Sequence, residues 1–194
     1  NEVASQTDAF QGVLHSRLWH SALEEIQFGR VPVVAVLHGA VVGGGLELAA
    51  STHIRVAERS AYYALPEGQR GIFLGGGGSM RLPRLVGLAR VQDMMLTGRT
   101  LGAEDGQAAG ISQYLVEDGE GMAKGMELAR KMAANAPLTN FAVMHALPRI
   151  AESDPAAGLF TESLMAAIAE TSPEAKQRLI DFLEKRAAKI KPGD

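Results

Sequence analysis

Residues 33–50 of the chain read Val33-Val34-Ala35-Val36-Leu37-His38-Gly39-Ala40-Val41-Val42-Gly43-Gly44-Gly45-Leu46-Glu47-Leu48-Ala49-Ala50. The β-branched and apolar run that opens this segment has the length and composition of a buried strand. Three consecutive glycines then allow backbone to approach backbone, or a ligand, without an intervening Cβ. An apolar run with a carboxylate in its first turn follows. The segment therefore predicts a strand, a turn and a helix.

The junction between the glycines and the helix also has the chemistry of a site. The first N–H groups of a helix lack intrahelical acceptors and favour negative charge, so a developing oxyanion would fit there. Glu47 lies about one turn in, close enough to exchange a proton with whatever carries the oxyanion. Taken alone, Glu47 is better explained as an early-helix glutamate that the helix dipole stabilises.

Two later segments add to this pattern. One reads Tyr63-Ala64-Leu65-Pro66-Glu67 and continues, after Gly71, into Gly75-Gly76-Gly77-Gly78-Ser79-Met80-Arg81-Leu82-Pro83. The other reads Met94-Met95-Leu96-Thr97-Gly98-Arg99 and continues into Ala103-Glu104-Asp105-Gly106-Gln107-Ala108-Ala109-Gly110. Glu67 ends a predicted strand beside glycine-rich backbone, where sites in layered α/β folds lie. The alternative is a glutamate on a surface loop.

These three segments, in this order, resemble the crotonase (enoyl-CoA hydratase/isomerase) superfamily. The superfamily's central motif is an apolar strand, a polar residue, Gly, three residues, Gly-Gly-Gly, one residue and Glu-Leu-Ala, and the spacing from Glu47 to Glu67 matches without a gap. The resemblance implies an α/β fold, with a spiral core of repeated ββα units and a C-terminal helical oligomerisation subdomain. Residues 1–120 would form the C-terminal part of the spiral core, and residues 121–194 a helical trimerisation subdomain.

The resemblance also implies roles for particular residues. Glu47 and Glu67 match the catalytic glutamates, and Gly44 matches an N–H donor of the oxyanion hole. Gly43 and Gly75 match positions that place water or substrate. Family members carry a further segment upstream, resembling F-x-A-G-x-D-L, that supplies the second oxyanion donor. These 194 residues contain no such segment, so we expect them to be part of a longer protein.

The end of the chain resembles the family's terminal F-x-E-K-R segment, here Phe182-Leu183-Glu184-Lys185-Arg186. In the family this segment lies near the adenine and phosphate end of coenzyme A, which implies that Phe182 and Lys185 bind coenzyme A. Attraction between cations and anionic phosphates supports that role. A solvated cationic helix end that its own dipole favours is the alternative.

The remaining sequence predicts alternating helices and strands and then helices alone. Strands are predicted over 53–57, 61–64 and 111–116, and helices over 8–28, 79–86, 88–96 and 103–109. Ser79 is the expected N-cap of the helix that follows it. Beyond Gly121 the expected helices are 121–135, 138–151, 156–170 and 173–189, with Pro148 kinking or ending the second.

Composition restricts the partners and the chemistry. The chain is 46% hydrophobic and 21% charged, with a formal net charge of −3 and no cysteine. The near-neutral charge argues against a nucleic-acid partner, and no apolar run approaches membrane-spanning length. A chain without cysteine has no thiolate metal site and is compatible with a reducing cytoplasm, the predicted location. No His/Asp cluster has metal-ligand spacing, so no metal or cofactor is expected.

The retained pair of glutamates favours one reaction, the syn-addition of water to a 2-enoyl-CoA thioester. Coenzyme A is then part of the substrate, and a homotrimer or a dimer of trimers is the expected assembly. The alternatives are another crotonase-type reaction, such as that of an isomerase or hydratase-lyase, and a non-catalytic CoA-binding oligomer.

Tyr62, Tyr63 and Phe73 either shape a pocket for a bulky acyl group or pack in the core, which is the more frequent role of aromatic residues. His15, Trp19 and His20 are either proton carriers or, as favoured here, surface and packing residues on one helix. Arg81 is expected to be solvated or paired within the protein.

Overall fold

The computed structural model describes residues 8–186 and begins with a long helix, α1 (Ala9–Gln27). The Asp8 side chain caps it by accepting a hydrogen bond from the N–H of Gln11 at 2.9 Å. Such a cap satisfies one of the helix's unpaired N–H groups. The predicted helix over 8–28 is confirmed.

The central segment forms the first turn of a spiral, in which the chain moves from one sheet to another. Strand β1 (Val34–Leu37) is followed by β2 (Ala40–Val42) and then by α2 (Gly44–Ser51). The predicted single strand is therefore interrupted at His38-Gly39, where Gly39 adopts a φ of 56°. That left-handed conformation suits glycine and turns the chain into the second sheet. The next turn repeats this order with β3 (Ile54–Glu58) and β4 (Tyr62–Ala64).

Two small three-stranded sheets result, each taking one strand from successive turns. The first has the order β1-β3-β6, all parallel, with β6 at Tyr114–Val116 and Val36 paired with Val56. The second has the order β2-β4-β5, in which β5 (Leu101–Gly102) runs antiparallel to β4. The sequence predicts no strand at Leu101-Gly102, because two residues carry no periodic signal.

Helices cover the sheets and enclose the core. A 3-10 turn (Gly68–Arg70) precedes α3 (Gly78–Val86), α4 (Leu88–Thr97) and α5 (Ala103–Ala109). The large side chains buried almost completely between them are Tyr63, Leu46, Leu65, Leu82, Met94 and Ile111. The predicted N-cap at Ser79 is wrong. Helix α3 begins at Gly78 after Gly77, whose φ is 93°, and no side chain of its own segment caps it.

The last third of the described chain is helical. Its helices are α6 (Gly121–Ala133), α7 (Pro137–His145), α8 (Leu147–Glu152), α9 (Pro155–Glu170) and α10 (Pro173–Leu183). The predicted helix over 138–151 is broken at Ala146, two residues before Pro148, which lacks the N–H that would continue it. Helix α10 ends at Leu183 rather than at residue 189, and residues 187–189 lie outside the described chain.

The chain forms two compact units that divide after Lys131, later than the predicted boundary at residue 120. The reason is the start of α6, which belongs to the first unit. The N–H of Gly121 donates to Glu58 Oε1 at 2.9 Å, and a Cβ on Gly125 would lie 3.0 Å from Val36. Among residues 8–186, none of the helices is long and apolar enough to cross a membrane.

Candidate active site

A cavity of about 1020 Å³ lies within the first unit, beside the N-terminus of α2. Glu47 and Glu67 both line it, together with backbone of three glycine-containing segments and one face of α1. Both glutamates are almost fully buried, at 5% and 7% exposure. The two carboxylates predicted from the sequence therefore share one cavity.

Two backbone N–H groups hold the side chain of Glu47. Its Oε1 accepts hydrogen bonds from the N–H of Gly76 and of Gly78, each at 2.8 Å. Gly78 is the first residue of α3, so Glu47 supplies the cap that Ser79 was expected to supply. A negative charge is stabilised at a helix N-terminus, and two donors on one oxygen fix the carboxylate's orientation.

The glycines of this segment are needed because the carboxylate packs directly against them. A Cβ on Gly76 would lie 3.0 Å from Glu47 Oε2, and one on Gly78 would lie 2.7 Å from Glu47 Cγ. A side chain at Gly78 would displace the carboxylate. The glycine run of residues 75–78 thus makes room for the carboxylate of Glu47.

Glu67 has a different environment, with little polar compensation. It follows Pro66 at the end of β4, and its Oε2 is buried with no hydrogen-bond partner among the described residues. Burial raises the pKa of Glu67, its own backbone hydrogen bond lowers it, and the nearby charge of Glu47 raises it again. Arg70 has a smaller opposing effect, so the pKa remains above its usual value. The environment favours the protonated carboxyl.

The three glycines predicted to belong to the site differ in their contacts. Gly44, at the start of α2, lines the cavity with open space where a Cβ would be. The N–H of Gly43 donates to the carbonyl of Ala64 at 3.0 Å, so this donor is used within the fold. Gly43 instead makes room for Glu67, because a Cβ there would lie 2.6 Å from Glu67 Oε1. Gly75 lines the cavity, and its carbonyl accepts a hydrogen bond from Ser16 Oγ at 2.6 Å.

Helix α1 forms a cavity wall that the sequence motifs do not predict. Its cavity-lining residues include Gly12, His15, Ser16 and Trp19. They recur at i, i+3, i+4 and i+7, the spacing of one helical face. That stripe of small, polar and aromatic residues is the signal that could have revealed the wall. His15 and Trp19 thus face a cavity, although packing or surface positions were favoured for them.

Arg81 supports the glycine segment from behind. It is 5% exposed, donates from Nη1 to the carbonyl of Gly76 at 3.0 Å, and donates from Nε to Gln27 Oε1 at 2.7 Å. Burial lowers the pKa of Arg81, and the charges of Glu24 and Glu47 oppose that shift. Of the two alternatives considered for this residue, pairing within the protein is the one observed.

The other residues considered for binding lie in varied positions. Phe73 lines the cavity, whereas Tyr63 is fully buried in the core and Tyr62 is not among the lining residues. Phe182, 68% exposed, is at the end of α10 in the second unit, and Lys185 follows that helix with a φ of 58°. Neither lines the cavity. No group of three or more His, Asp or Glu side chains within residues 8–186 is arranged to hold a metal ion.

Comparison with known proteins identifies the family of the chain. A family model described as enoyl-CoA hydratase/isomerase matches residues 1–192. The chain is 36% identical over 162 residues to YngF of Bacillus subtilis (strain 168), for which an enoyl-CoA hydratase/isomerase assignment has been proposed; the match covers 82% of this chain and 62% of YngF. It is 35% identical over 165 residues to the mitochondrial methylglutaconyl-CoA hydratase of Rattus norvegicus, covering 83% of this chain and 52% of that protein.

A solved structure shows the same fold. A crystal structure from Rhodopseudomonas palustris CGA009, of a protein proposed to be an enoyl-CoA hydratase, matches with a TM-score of 0.90 and 59% identity. The match covers 95% of this chain and 72% of that one. The chain thus spans about half to three fifths of the two curated relatives and shares the crotonase fold with the solved structure. With a family match over nearly its whole length and a paired-glutamate cavity at the expected positions, the chain belongs to the enoyl-CoA hydratase/isomerase family.

Proposed function

We propose that the protein hydrates a 2-enoyl-CoA thioester by syn-addition of water, with Glu47 and Glu67 exchanging the two protons. The observation that carries the proposal is that two buried carboxylates with unlike environments line one cavity. Carboxylates whose environments separate their proton affinities are suited to act as base and acid in the same step.

The environments of the two glutamates support a division of roles between them. Glu47, whose Oε1 is held by two N–H donors, has its second oxygen available to accept a proton from water. Glu67, whose pKa is raised, is suited to carry a proton and deliver it to Cα of the enoyl group. The hydroxide part of the water bonds to Cβ, the Cα–Cβ double bond becomes single, and Cα takes the proton from Glu67. The step leaves Glu47 protonated and Glu67 ionised, so the net charge of the site is unchanged. The starting state returns when Glu47 releases a proton to solvent and Glu67 takes one up.

The thioester oxygen needs donors while negative charge develops on it. The N–H of Gly44, in the first turn of α2, is the donor that this chain offers, since such a group lacks an intrahelical acceptor. Resemblance to the family implies a second donor as well. A preorganised donor of this kind is typically worth about 10²–10³ in rate.

We propose that the substrate carries a bulky acyl group, and the cavity wall supports this. Trp19, Ile72 and Phe73 supply apolar surface, and His15 adds a hydrogen-bonding group on the same side as Ser16. This wall suits a branched or aromatic acyl chain better than a short linear one. The similarity to methylglutaconyl-CoA hydratases supports a branched substrate.

We propose that the coenzyme A end of the substrate lies near Phe182 and Lys185. This placement requires an oligomer in which the second unit of one copy lies at an active site of the assembly. The cation of Lys185 would attract the phosphates, and the exposed ring of Phe182 would pack against the adenine. Replacing both residues with alanine is expected to raise KM for the acyl-CoA severalfold and to leave kcat unchanged. An unchanged KM would contradict this placement.

The proposed reaction is tested by following loss of the conjugated thioester absorbance with crotonyl-CoA, a branched enoyl-CoA and cinnamoyl-CoA. Glu47→Gln and Glu67→Gln are compared with Glu25→Gln, a matched change at an exposed position of α1. We expect the first two variants to lose at least about 10²-fold in kcat, the usual contribution of a general acid or base, and the control to retain it.

Mass spectrometry of the product separates the proposed reaction from its alternatives. Hydration adds one water to the acyl-CoA, whereas isomerisation leaves its mass unchanged. Acyl-CoA binding by calorimetry without turnover would assign the protein a binding role. Either of the last two results, or full activity in both glutamine variants, would overturn the hydratase proposal.

A further inference from the structure

A single peptide group connects helix α1 to Glu47. The carbonyl of Gly75 accepts a hydrogen bond from Ser16 Oγ at 2.6 Å, and the N–H of Gly76 donates to Glu47 Oε1 at 2.8 Å. Carbonyl and N–H belong to the same peptide unit, between residues 75 and 76. An acceptor bond at one end of an amide polarises it and strengthens the donor at its other end.

His20 extends this connection by one member. Its Nε2 lies 3.3 Å from Ser16 Oγ, one helical turn along α1. A serine hydroxyl has one hydrogen, and the short bond to Gly75 uses it, so the hydrogen of the second bond comes from His20. The bonds then run in one direction: His20 to Ser16, Ser16 to the Gly75 carbonyl, and the Gly76 N–H to Glu47.

The second donor to Glu47 has no such dependence on α1. The peptide of Gly78 has the carbonyl of Gly77, which accepts from the N–H groups of Met80 and Arg81 in the first turn of α3. That donor is fixed by the helix itself. Of the two N–H groups that bind Glu47, only that of Gly76 depends on a side chain of α1 for its strength as a donor.

We propose that Ser16 and His20 are positioning residues for the reaction, acting on Glu47 through the peptide between Gly75 and Gly76. They orient that peptide and set the strength of one of the two hydrogen bonds to the carboxylate. The catalytic part of this inference rests on the proposed hydration. The hydrogen-bonded chain itself does not.

The test compares Ser16→Ala with Ser16→Thr, which keeps a hydroxyl, and with Ser21→Ala, which removes an exposed hydroxyl bonded only to the carbonyl of Arg17 on the same helix. The amide proton of Gly76 is observed by NMR in ¹⁵N-labelled protein. We expect it to move upfield in Ser16→Ala, while the amide of Gly78 stays in place. Ser16→Thr should restore it, and Ser21→Ala should leave it unchanged. His20→Leu should move it in the same direction by a smaller amount.

Kinetics supply the second readout. Ser16→Ala is expected to lower kcat roughly tenfold, the equivalent of about 1.4 kcal/mol, with KM changed less than about twofold, and Ser16→Thr to recover most of the rate. A raised KM with unchanged kcat would show that Ser16 contacts substrate instead, which overturns the positioning role.

The two readouts fail separately. A Gly76 amide that does not respond to Ser16→Ala overturns the hydrogen-bonded chain whatever the activity. Wild-type protein that hydrates none of the substrates overturns the proposed function. The NMR comparison still decides whether the hydrogen-bonded chain from His20 to Glu47 exists.

Discussion

At Glu67, burial and the charge of Glu47 both raise the pKa above its ordinary value of 4.5. Below that value the carboxyl is protonated in the folded and the unfolded protein alike, so it contributes nothing to a pH dependence. As the pH rises, the unfolded chain loses this proton before the folded protein does. Glu67 therefore destabilises the fold increasingly from about pH 4.5 up to its raised pKa, and constantly above it.

Replacing Glu67 with Gln should for this reason stabilise the protein at neutral and alkaline pH. Each pKa unit of elevation corresponds to about 1.4 kcal/mol, and a change of 1 kcal/mol moves Tm by about 2–4 °C in a domain of this size. We expect Glu67→Gln to melt a few degrees above wild type at pH 8, with the difference vanishing near pH 4. Calorimetry across that range checks it, with Glu25→Gln as the control. A variant that is less stable at pH 8 would show that the charged carboxylate is favoured in the fold.

Gly78 allows a test of the close packing around Glu47. A Cβ there would lie 2.7 Å from Glu47 Cγ, so Gly78→Ala should displace the carboxylate and destabilise the fold by about 1–3 kcal/mol, as overpacking does. The matched control is Gly45→Ala, also in a helix, where nothing lies within 4 Å of the added methyl. We expect the control to be neutral or up to about 1 kcal/mol more stable in urea unfolding. Equal stability of the two variants would contradict the packing described.

At the scale of elements, α1 and α3 hold the glycine segment between them. Ser16 binds the Gly75 carbonyl from α1, and Arg81 binds the Gly76 carbonyl from α3 while also contacting Gln27. Successive carbonyls of one short segment are thus fixed from two helices. This arrangement presents the N–H groups of the segment to Glu47.

Arg81→Met should loosen that arrangement. It leaves the Gly76 carbonyl and the Gln27 side chain without their buried donor, a loss of about 1–3 kcal/mol for each unsatisfied group. We expect a lower urea midpoint and faster amide exchange at Gly76 and Gly78 than in Arg90→Met, an arginine-to-methionine change at an exposed position of α4. Unchanged exchange at both glycines would show that Arg81 does not fix the segment.

The elements that the sequence predicts well are those with a long periodic signal or with glycines that match a known motif. Helix α1 and the pair Glu47 and Glu67 belong to this group. Strand β5 and the true start of α3 do not. Two residues are too few to show a period, and the cap of α3 comes from another element and so leaves no signal in the local sequence. Ser16 binds a backbone carbonyl that is distant from it in sequence, and Arg81 makes its contacts in a buried part of the fold. Neither set of contacts can be predicted from the amino-acid composition.

At the scale of the whole molecule, the last two helices of the second unit, α9 and α10, bury little of their own apolar surface. Gly158 is the buried residue of α9, and α10 has none. The large apolar side chains that stay exposed on these two helices are Leu159, Phe160, Leu164, Ile168, Leu179, Ile180, Phe182 and Leu183. Helices of this length gain most of their stability from tertiary packing, so we expect further copies of the chain to cover them.

Light scattering should accordingly give a mass three or six times that of one chain. The double change Phe160→Glu and Leu164→Glu places charges one helical turn apart on the exposed face of α9, and it should reduce the mass by dissociating the assembly. Ser163→Glu, on the same helix, serves as the control. A wild-type protein that is monomeric at micromolar concentration would contradict the expected oligomer.

The cap that Glu47 provides to α3 has a consequence for how this protein can change over generations. Glutamine offers the same Oε1 acceptor to the Gly76 and Gly78 N–H groups, yet it cannot take a proton from water. One amino-acid replacement can therefore silence the proposed chemistry and leave the architecture standing. A descendant with glutamine at position 47 would keep a folded cavity free to be selected for binding alone.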